Sequence, residues 1–265
     1  MNTSNHRRQR ILAEVFQRRH VTAKDLATVM DVSEATVRRD LKTLADTGHL
    51  ELVYGGATLR RSTDFSSRTR ESRNPAAKQL IGRLASTLVA DDDQIFIDSG
   101  TTTFEMTPFL KPRRGLSIII NSTRLASELD APGISILMLG GQYRPDRHDT
   151  VGPLAASTLT QLRGYLCFIG ADGLAMDDFG LSASDIDSAN LYRLAVQNAR
   201  ETILLVDHTK FSSPSLFQIV SWTSISKLVT NHPPTPEWSD FLAQKNIQTL
   251  YPTPTPHEEL TTTRK

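Results

Sequence analysis

Asp31-Val32-Ser33-Glu34-Ala35-Thr36-Val37-Arg38-Arg39-Asp40-Leu41 reads as a turn followed by the second helix of a helix-turn-helix. Ser33 is a good N-cap, because its hydroxyl can accept from a free backbone N–H of the first turn. Val37, Leu41 and Leu44 then recur at helical spacing and define one apolar face. The opposite face carries Thr36, Arg38, Arg39 and Lys42, the hydroxyl and basic groups that reach phosphates and base edges. Ser33, Ala35, Thr36, Arg38, Arg39 and Lys42 are therefore the DNA-facing candidates. The plainer alternative is a surface helix with a charged outer face, and the flanking sequence weighs against it.

Ile11, Leu12, Val15 and Phe16 mark a first amphipathic helix over about residues 5–18. Thr22 followed by Asp25 resembles a capping box, with Val21 placed to staple against Leu26. That spacing predicts a second helix from Ala23 to Met30. Gly48 is a helix stop. The alternating run His49-Leu50-Glu51-Leu52-Val53-Tyr54 and the Gly55-Gly56 pair predict a strand and tight turn, the wing of a winged helix. The head is thus assigned to residues 1–57.

Residues 1–61 carry 11 Lys and Arg against 7 Asp and Glu, and the rest of the chain 19 against 22. A basic head on a mildly acidic body implies that the head meets phosphate. The 265 residues suffice for a small domain plus a full α/β domain. The single cysteine, Cys167, excludes an intrachain disulfide and a Cys-rich metal site, and its apolar neighbours mark it as a buried thiol. No signal peptide and no membrane-spanning apolar run is read, so a soluble cytoplasmic protein with no membrane partner is expected. The Thr- and Pro-rich tail, residues 253–265, is expected to be disordered.

Residues 58–75 are polar, charged and Ser-rich, and read as a tether. Residues 76–252 form the body, which opens on a helix marked by Leu80, Ile81, Leu84 and Leu88. Buried-type strands are predicted at residues 94–98, 116–121, 134–139, 165–170, 202–207, 227–231 and 247–251, with helices between most of them. The fold class is therefore α/β, with a mainly parallel sheet covered on both faces. Ligands in such sheets sit beyond the carboxyl ends of the strands.

The residues after each strand are informative. Asp98-Ser99-Gly100-Thr101-Thr102-Thr103 opens a short helix and offers N–H groups and hydroxyls to an anion. It is not a P-loop, because the GxxxxGK[ST] spacing is absent. Asn121-Ser122, Gly140-Gly141 with Arg144, Gly170-Ala171-Asp172-Gly173 and Asp207-His208-Thr209-Lys210 end four further strands. Together they predict a polar, partly cationic pocket suited to a small phosphorylated polyol. Asp98, Asp172, Asp185, Asp207, His208 and Lys210 could also supply acid–base groups, so spacing alone leaves catalysis open. The seven histidines form no HxxxH or HExxH pattern, so no metal or other cofactor is expected, and His148 with Asp149 reads as a loop pair.

Across residues 5–252 the chain resembles the DeoR-type bacterial repressors of sugar catabolism. The resemblance rests on Val32-Ser33-Glu34-Ala35-Thr36-Val37-Arg38-Arg39-Asp40-Leu41, Gly48 and Tyr54-Gly55-Gly56-Ala57 in the head. In the body it rests on Ile97-Asp98-Ser99-Gly100-Thr101-Thr102-Thr103, Asn121-Ser122, Gly140-Gly141, Gly152-Pro153, Gly170-Ala171-Asp172-Gly173, Gly180-Leu181 and Asp207-His208-Thr209-Lys210-Phe211. The resemblance implies a winged-helix head and a sensor domain akin to ribose-phosphate isomerases and aminosugar-phosphate deaminases. It implies a phosphorylated sugar as effector, with Ser99, Gly100, Thr101, Thr102 and Thr103 holding the phosphate. Asp98, Asn121, Asp172 and Lys210 would face the sugar. It also implies a non-catalytic body, since kinship of fold does not transfer activity. Two departures stand out: Leu52 and Tyr54 replace the family's Arg-x-His before the wing glycines, and Asn190 and Tyr192 replace acidic and lysine positions.

The reading that follows is a repressor of a carbohydrate operon, relieved by a sugar phosphate. It binds a double-stranded operator as a homodimer or homotetramer assembled through the sensor domain. The rival readings are a sugar-phosphate isomerase or deaminase with a DNA-binding head, and a scaffold that uses its head for protein contacts.

Overall fold

The computed structural model describes residues 3–18, 20–46, 50–59, 70–211 and 214–252, in two compact units, Met1–Thr63 and Asp64–Lys265. The stop read at Gly48, the residue His49, the middle of the tether, the tail and the Phe16 side chain lie outside the described residues.

The head contains α1 (Thr3–Arg18), β1 (His20–Thr22), α2 (Ala23–Met30), α3 (Glu34–Asp46), β2 (Leu50–Val53) and β3 (Gly56–Leu59). Ile11, Leu12, Val15, Leu26, Val37, Leu41 and Leu44 close one core, as their 3.6-residue spacing requires. Thr22 caps α2 by accepting from Asp25 N at 3.1 Å. Asp31 ends α2 in the left-handed region, φ 54°, and turns the chain toward α3. The strand β1 was not foreseen. It pairs with β3, which also pairs with β2, so the wing is a three-stranded antiparallel sheet. Thr58 pairs with both His20 and Glu51. Strand pairing thus carries the head past residue 57 and shortens the tether at that end. Along β2 only Leu50 is buried; Leu52 and Val53 are exposed because the hairpin projects beyond the core.

The body begins with α4 (Pro75–Ser86) and then follows β4 (Gln94–Ile97), a 3-10 turn (Thr103–Met106), α5 (Thr107–Leu110), β5 (Leu116–Ile120), α6 (Thr123–Glu128) and β6 (Ile134–Met138). A hairpin of β7 (Gln142–Arg144) and β8 (Asp149–Val151) precedes α7 (Pro153–Leu159), β9 (Leu166–Gly170), β10 (Gly173–Leu174), β11 (Leu181–Ala183) and α8 (Ile186–Asn198). The chain closes with β12 (Glu201–Leu205), a 3-10 turn (His208–Lys210), β13 (Phe217–Gln218), β14 (Lys227–Val229), α9 (Pro236–Gln244) and β15 (Gln248–Leu250). The seven predicted strands form one sheet in the order β15-β14-β12-β9-β4-β5-β6, and every pair is parallel. Central strands β4, β9 and β12 are buried almost throughout, which is why they read as continuous apolar runs. The hairpin β7–β8 and the small antiparallel sheet β10-β11-β13 were not foreseen.

The order of the sheet locates its crevice. The chain runs outward from β4 through β5 to β6, then returns to place β9 on the other side of β4. The connections therefore leave in opposite directions between β4 and β9, the switch point beyond which ligands lie in open α/β sheets.

Candidate functional site

In the head, Ser33 Oγ accepts from Thr36 N at 3.2 Å and lies 2.9 Å from Thr36 Oγ1, which fixes the start of α3. Ser33, Ala35, Arg38, Arg39 and Lys42 are exposed, and Thr36 is half-buried. The candidate DNA-facing residues thus share one helix and the Ser33 that precedes it, opposite buried Val37, Leu41 and Leu44. Arg38 Nη2 lies 3.4 Å from Glu34 Oε2, both side chains exposed, and such pairs contribute little. Asp40 is the exception on this helix: it is buried and accepts from Arg7 Nε at 2.6 Å, holding α1 against α3. At the wing tip Tyr54 is fully exposed.

In the body, the turn after β4 and the turn after β9 face each other across the switch point. Asp98 Oδ1 accepts from Gly100 N at 2.9 Å and from Thr103 Oγ1, and Asp98 Oδ2 accepts from Gly170 N at 2.8 Å. The carboxylate thereby stitches the two strand ends together. Gly100 is required here, because a Cβ would sit 2.8 Å from Asp98 Oδ1. Burial pushes the Asp98 carboxyl up, against those three hydrogen bonds and Arg70. Asp98 and Thr103 are both withdrawn from solvent and spent on the turn. Their expected contacts to a sugar or phosphate are corrected accordingly: they shape the cradle and do not line it. Ser99 Oγ donates to Asp149 Oδ2 at 2.8 Å and lies 2.9 Å from the Tyr192 hydroxyl. Thr101 and Thr102 are half-buried, and among the described residues neither their hydroxyls nor their N–H groups find a partner.

Three other expectations are corrected. Arg144 does not point to an anion site. Its Nε and Nη2 grip Asp149 at 2.8 and 2.7 Å, and its Nη1 reaches Asp185 Oδ1 at 2.6 Å. Burial would lower the guanidinium, but Asp185 and Asp149 hold it raised. Gly140 and Gly141 follow β6, the outermost strand on that side, away from the crevice. Gly141 serves the hairpin, since a Cβ would fall 2.5 Å from the Val151 carbonyl. His148 does not pair with Asp149; its Nδ1 lies 3.3 Å from the Tyr143 hydroxyl. Asn121 is buried and its Nδ2 donates to Thr150 O at 3.0 Å, while its Oδ1 has no partner among the described residues.

Asp172 follows β9 at the switch point, and Lys210, after the neighbouring β12, lies within electrostatic reach of it. Asp172 Oδ2 accepts from Ser184 N at 2.8 Å and Oδ1 lies 3.4 Å from Arg70 Nη1. Burial would raise its carboxyl, but Arg70 and Arg147 hold it below the usual range. Lys210 ends a 3-10 turn that Asp207 caps through Thr209 N at 2.9 Å. Arg147 donates to Asp185, Ser184 and Ser188. Asn74 adopts φ 50° before Pro75, starts α4, and donates from Nδ2 to Asp207 Oδ1 at 3.3 Å. One turn on, Lys78 is buried, and its Nζ donates to the Arg70 carbonyl. Burial pushes the Lys78 ammonium down to about 8; Asp207 opposes that shift, and Lys210 and Arg70 add to it.

Arg70, Asn74, Lys78 and Arg147 were missed by the sequence reading, and Asp149 was read only as a loop partner of His148. Lys78 carried a signal: it shares the buried face of α4 with Ile81, Gly82 and Ala85. Arg70 carried none, because it lies in a polar segment without periodicity.

The Arg144 clamp has a measurable consequence. Arg144→Met leaves the buried Asp149 without its cation, and breaking such a pair costs about 3–5 kcal/mol. Both tryptophans lie in the body, so urea unfolding followed by their fluorescence should show the loss there. A loss below about 1 kcal/mol, the range of surface pairs, would contradict the clamp.

A winged helix-turn-helix with an exposed basic recognition helix, followed in one chain by a parallel α/β body with a polar crevice, defines a DNA-binding regulator with a ligand-sensing domain. The comparisons agree. Residues 7–63 match the DeoR-like helix-turn-helix domain, and residues 73–232 match the DeoR C terminal sensor domain. The chain is 31% identical over 231 residues to the HTH-type transcriptional regulator GolR of Listeria innocua, covering 85% of this chain and 90% of that one. It is 29% identical over 253 residues to the HTH-type transcriptional repressor CsqR of Escherichia coli, covering 94% and 96%. It is 31% identical over 230 residues to the lactose phosphotransferase system repressor of Lactococcus lactis, covering 84% and 89%. Ribose 5-phosphate isomerase A of Methanocaldococcus jannaschii aligns with a TM-score of 0.37 at 21% identity, over 52% of this chain and 55% of that one, a likeness too distant to bear on chemistry. The chain belongs to the DeoR family of transcriptional regulators. It is a DNA-binding transcription regulator. Among the described residues no helix is long and apolar enough to cross a membrane.

Proposed function

We propose that this protein represses a carbohydrate-catabolism operon and that a phosphorylated sugar, bound in the body, releases it from its operator. The observation that carries the effector reading is the crevice between β4 and β9. There the half-buried Thr101 and Thr102, in the turn after β4, have hydroxyls and N–H groups free of described partners, and Lys210 and Arg70 lie within electrostatic reach of both Lys78 and Asp172, the latter after β9. Backbone N–H groups, hydroxyls and cations around one crevice suit a phosphate, and Asp172 supplies an acceptor for sugar hydroxyls. The operon class is supported by relatives named as repressors, one of them of a lactose phosphotransferase system. Operator binding as a homo-oligomer follows from the head, since helix-turn-helix proteins read two half-sites.

Lys78 gives this reading a pH signature. A bound phosphate favours the ammonium, so the Lys78 pKa rises on binding from its free value of about 8. Below pH 8 this group contributes its charge fully. Above it, binding must take up a proton, and affinity should fall by up to about tenfold per pH unit. Calorimetric titration of the full chain with sugar phosphates from pH 7 to 9.5 is the test. Lys78→Gln should flatten the profile. A flat profile in the wild type would remove Lys78 from the phosphate site, and an absence of binding to any sugar phosphate would remove the site itself.

A further inference from the structure

Arg70 and Glu71 are helical and lead into α4, on the stretch of chain between the head and the sheet. This stretch is fastened to the rim of the crevice at several points. Arg70 reaches Asp172, after β9. Glu71 pairs with Arg124, whose guanidinium lies 3.6 Å from the Phe104 ring centroid, just after the Thr103 turn. Asn74 reaches Asp207, after β12. Lys78 holds the Arg70 carbonyl.

Within this arrangement Arg70 is underused. Its Nη1 contact to Asp172 is long, at 3.4 Å, and its Nε is buried with no acceptor among the described residues. A guanidinium presents its Nε–H and an Nη–H as a planar fork that fits two oxygens of a phosphate. Asp172 takes up only one arm of that fork. The cation also sits in the field of Asp172, Tyr192, Asp185 and Asp149, so it is held at the crevice whether or not it is fully bonded.

We propose that Arg70 is the residue through which effector occupancy reaches the head: the bound phosphate takes the free arm of its guanidinium and so fixes the segment that leads to the DNA-binding domain. The proposal rests on the effector reading above and adds the regulation of that site. A ligand shifts a conformational equilibrium only by binding its two states differently. A cation that both touches the ligand and belongs to the connecting segment supplies such a difference directly, whereas Lys210, on a turn after a central strand, does not.

The test uses the full chain and its Arg70→Gln and Arg70→Lys variants, with ribose 5-phosphate, fructose 6-phosphate, fructose 1-phosphate and glucosamine 6-phosphate as probes. Calorimetry reads ligand binding. Anisotropy reads the ratio of operator affinities with and without saturating ligand, on an operator recovered by in vitro selection. In the wild type a binding sugar phosphate should lower operator affinity by about 5–150-fold. Both variants should bind that ligand more weakly, by about tenfold, and lose the operator shift when saturated. Lysine should fail as glutamine does, because it restores the charge but not the fork, and its retained charge guards against a folding defect. Variants that release the operator as fully as the wild type would overturn the role of Arg70 while leaving the effector site standing. A wild type that binds none of the probes would overturn the effector reading and this inference with it.

Discussion

Alanine at Arg38 and Arg39 together is expected to abolish specific operator binding while leaving the head folded. Both side chains stand exposed on α3, away from the core formed by Val37, Leu41 and Leu44. Their loss therefore exposes no cavity and strands no buried partner; the Glu34 contact to Arg38 is itself exposed. Each lost bidentate contact to a base costs roughly 1–3 kcal/mol, and each lost phosphate contact lowers the salt slope by about one. Together the two substitutions bring a specific complex toward the level of non-specific binding. Anisotropy titrations across a salt series separate the two kinds of contact, since only a base contact relaxes specificity at one position. Wild-type affinity in the double variant would remove α3 from the major groove.

Alanine at Thr101 and Thr102 is expected to do the reverse: operator binding persists and induction is lost, a super-repressor. The two hydroxyls make no bond among the described residues, so the substitutions leave the turn intact; Asp98, Gly100 and Thr103 build it. On the proposed reading, what they remove is two donors to a bound phosphate. Loss of two hydrogen bonds to a charged group costs roughly 3–6 kcal/mol of ligand affinity, enough to leave the operator occupied at inducing concentrations. Gene expression from a reporter, with the inducing sugar supplied, reads this directly. Full induction in the double variant would place the phosphate elsewhere.

The residues that were legible in the sequence are those whose role is set by local periodicity. Ile95, Phe96 and Ile97 or Cys167, Phe168 and Ile169 can only be doubly covered strands, and the loops that follow them inherit their position from the sheet. Ser33 and Thr22 declared helix starts because a cap is a local bond. The illegible part is where partners come from far along the chain. Asp98 looked like a ligand group because the sequence does not reveal Gly170 N waiting across the crevice. Arg144 looked like a free cation because Asp185 is remote in sequence, and Asp149, though near, needs the hairpin to face it. Arg70 looked like tether because its partner, Asp172, lies about a hundred residues on, a separation no local pattern encodes. Tyr192, noted only as a departure from the family pattern, stands against Ser99 at the crevice and gives that departure a place in the site.

The most direct measurement is operator affinity of the full chain, by anisotropy at fixed salt, with a set of pentose and hexose monophosphates and with the same sugars unphosphorylated. The expected result is that at least one sugar phosphate weakens operator binding by about 5–150-fold while its parent sugar does not, since the proposed site reads the phosphate through Thr101, Thr102, Lys78, Lys210 and Arg70. A parent sugar that acts as strongly as its phosphate, or an operator complex that no sugar phosphate weakens, would contradict it.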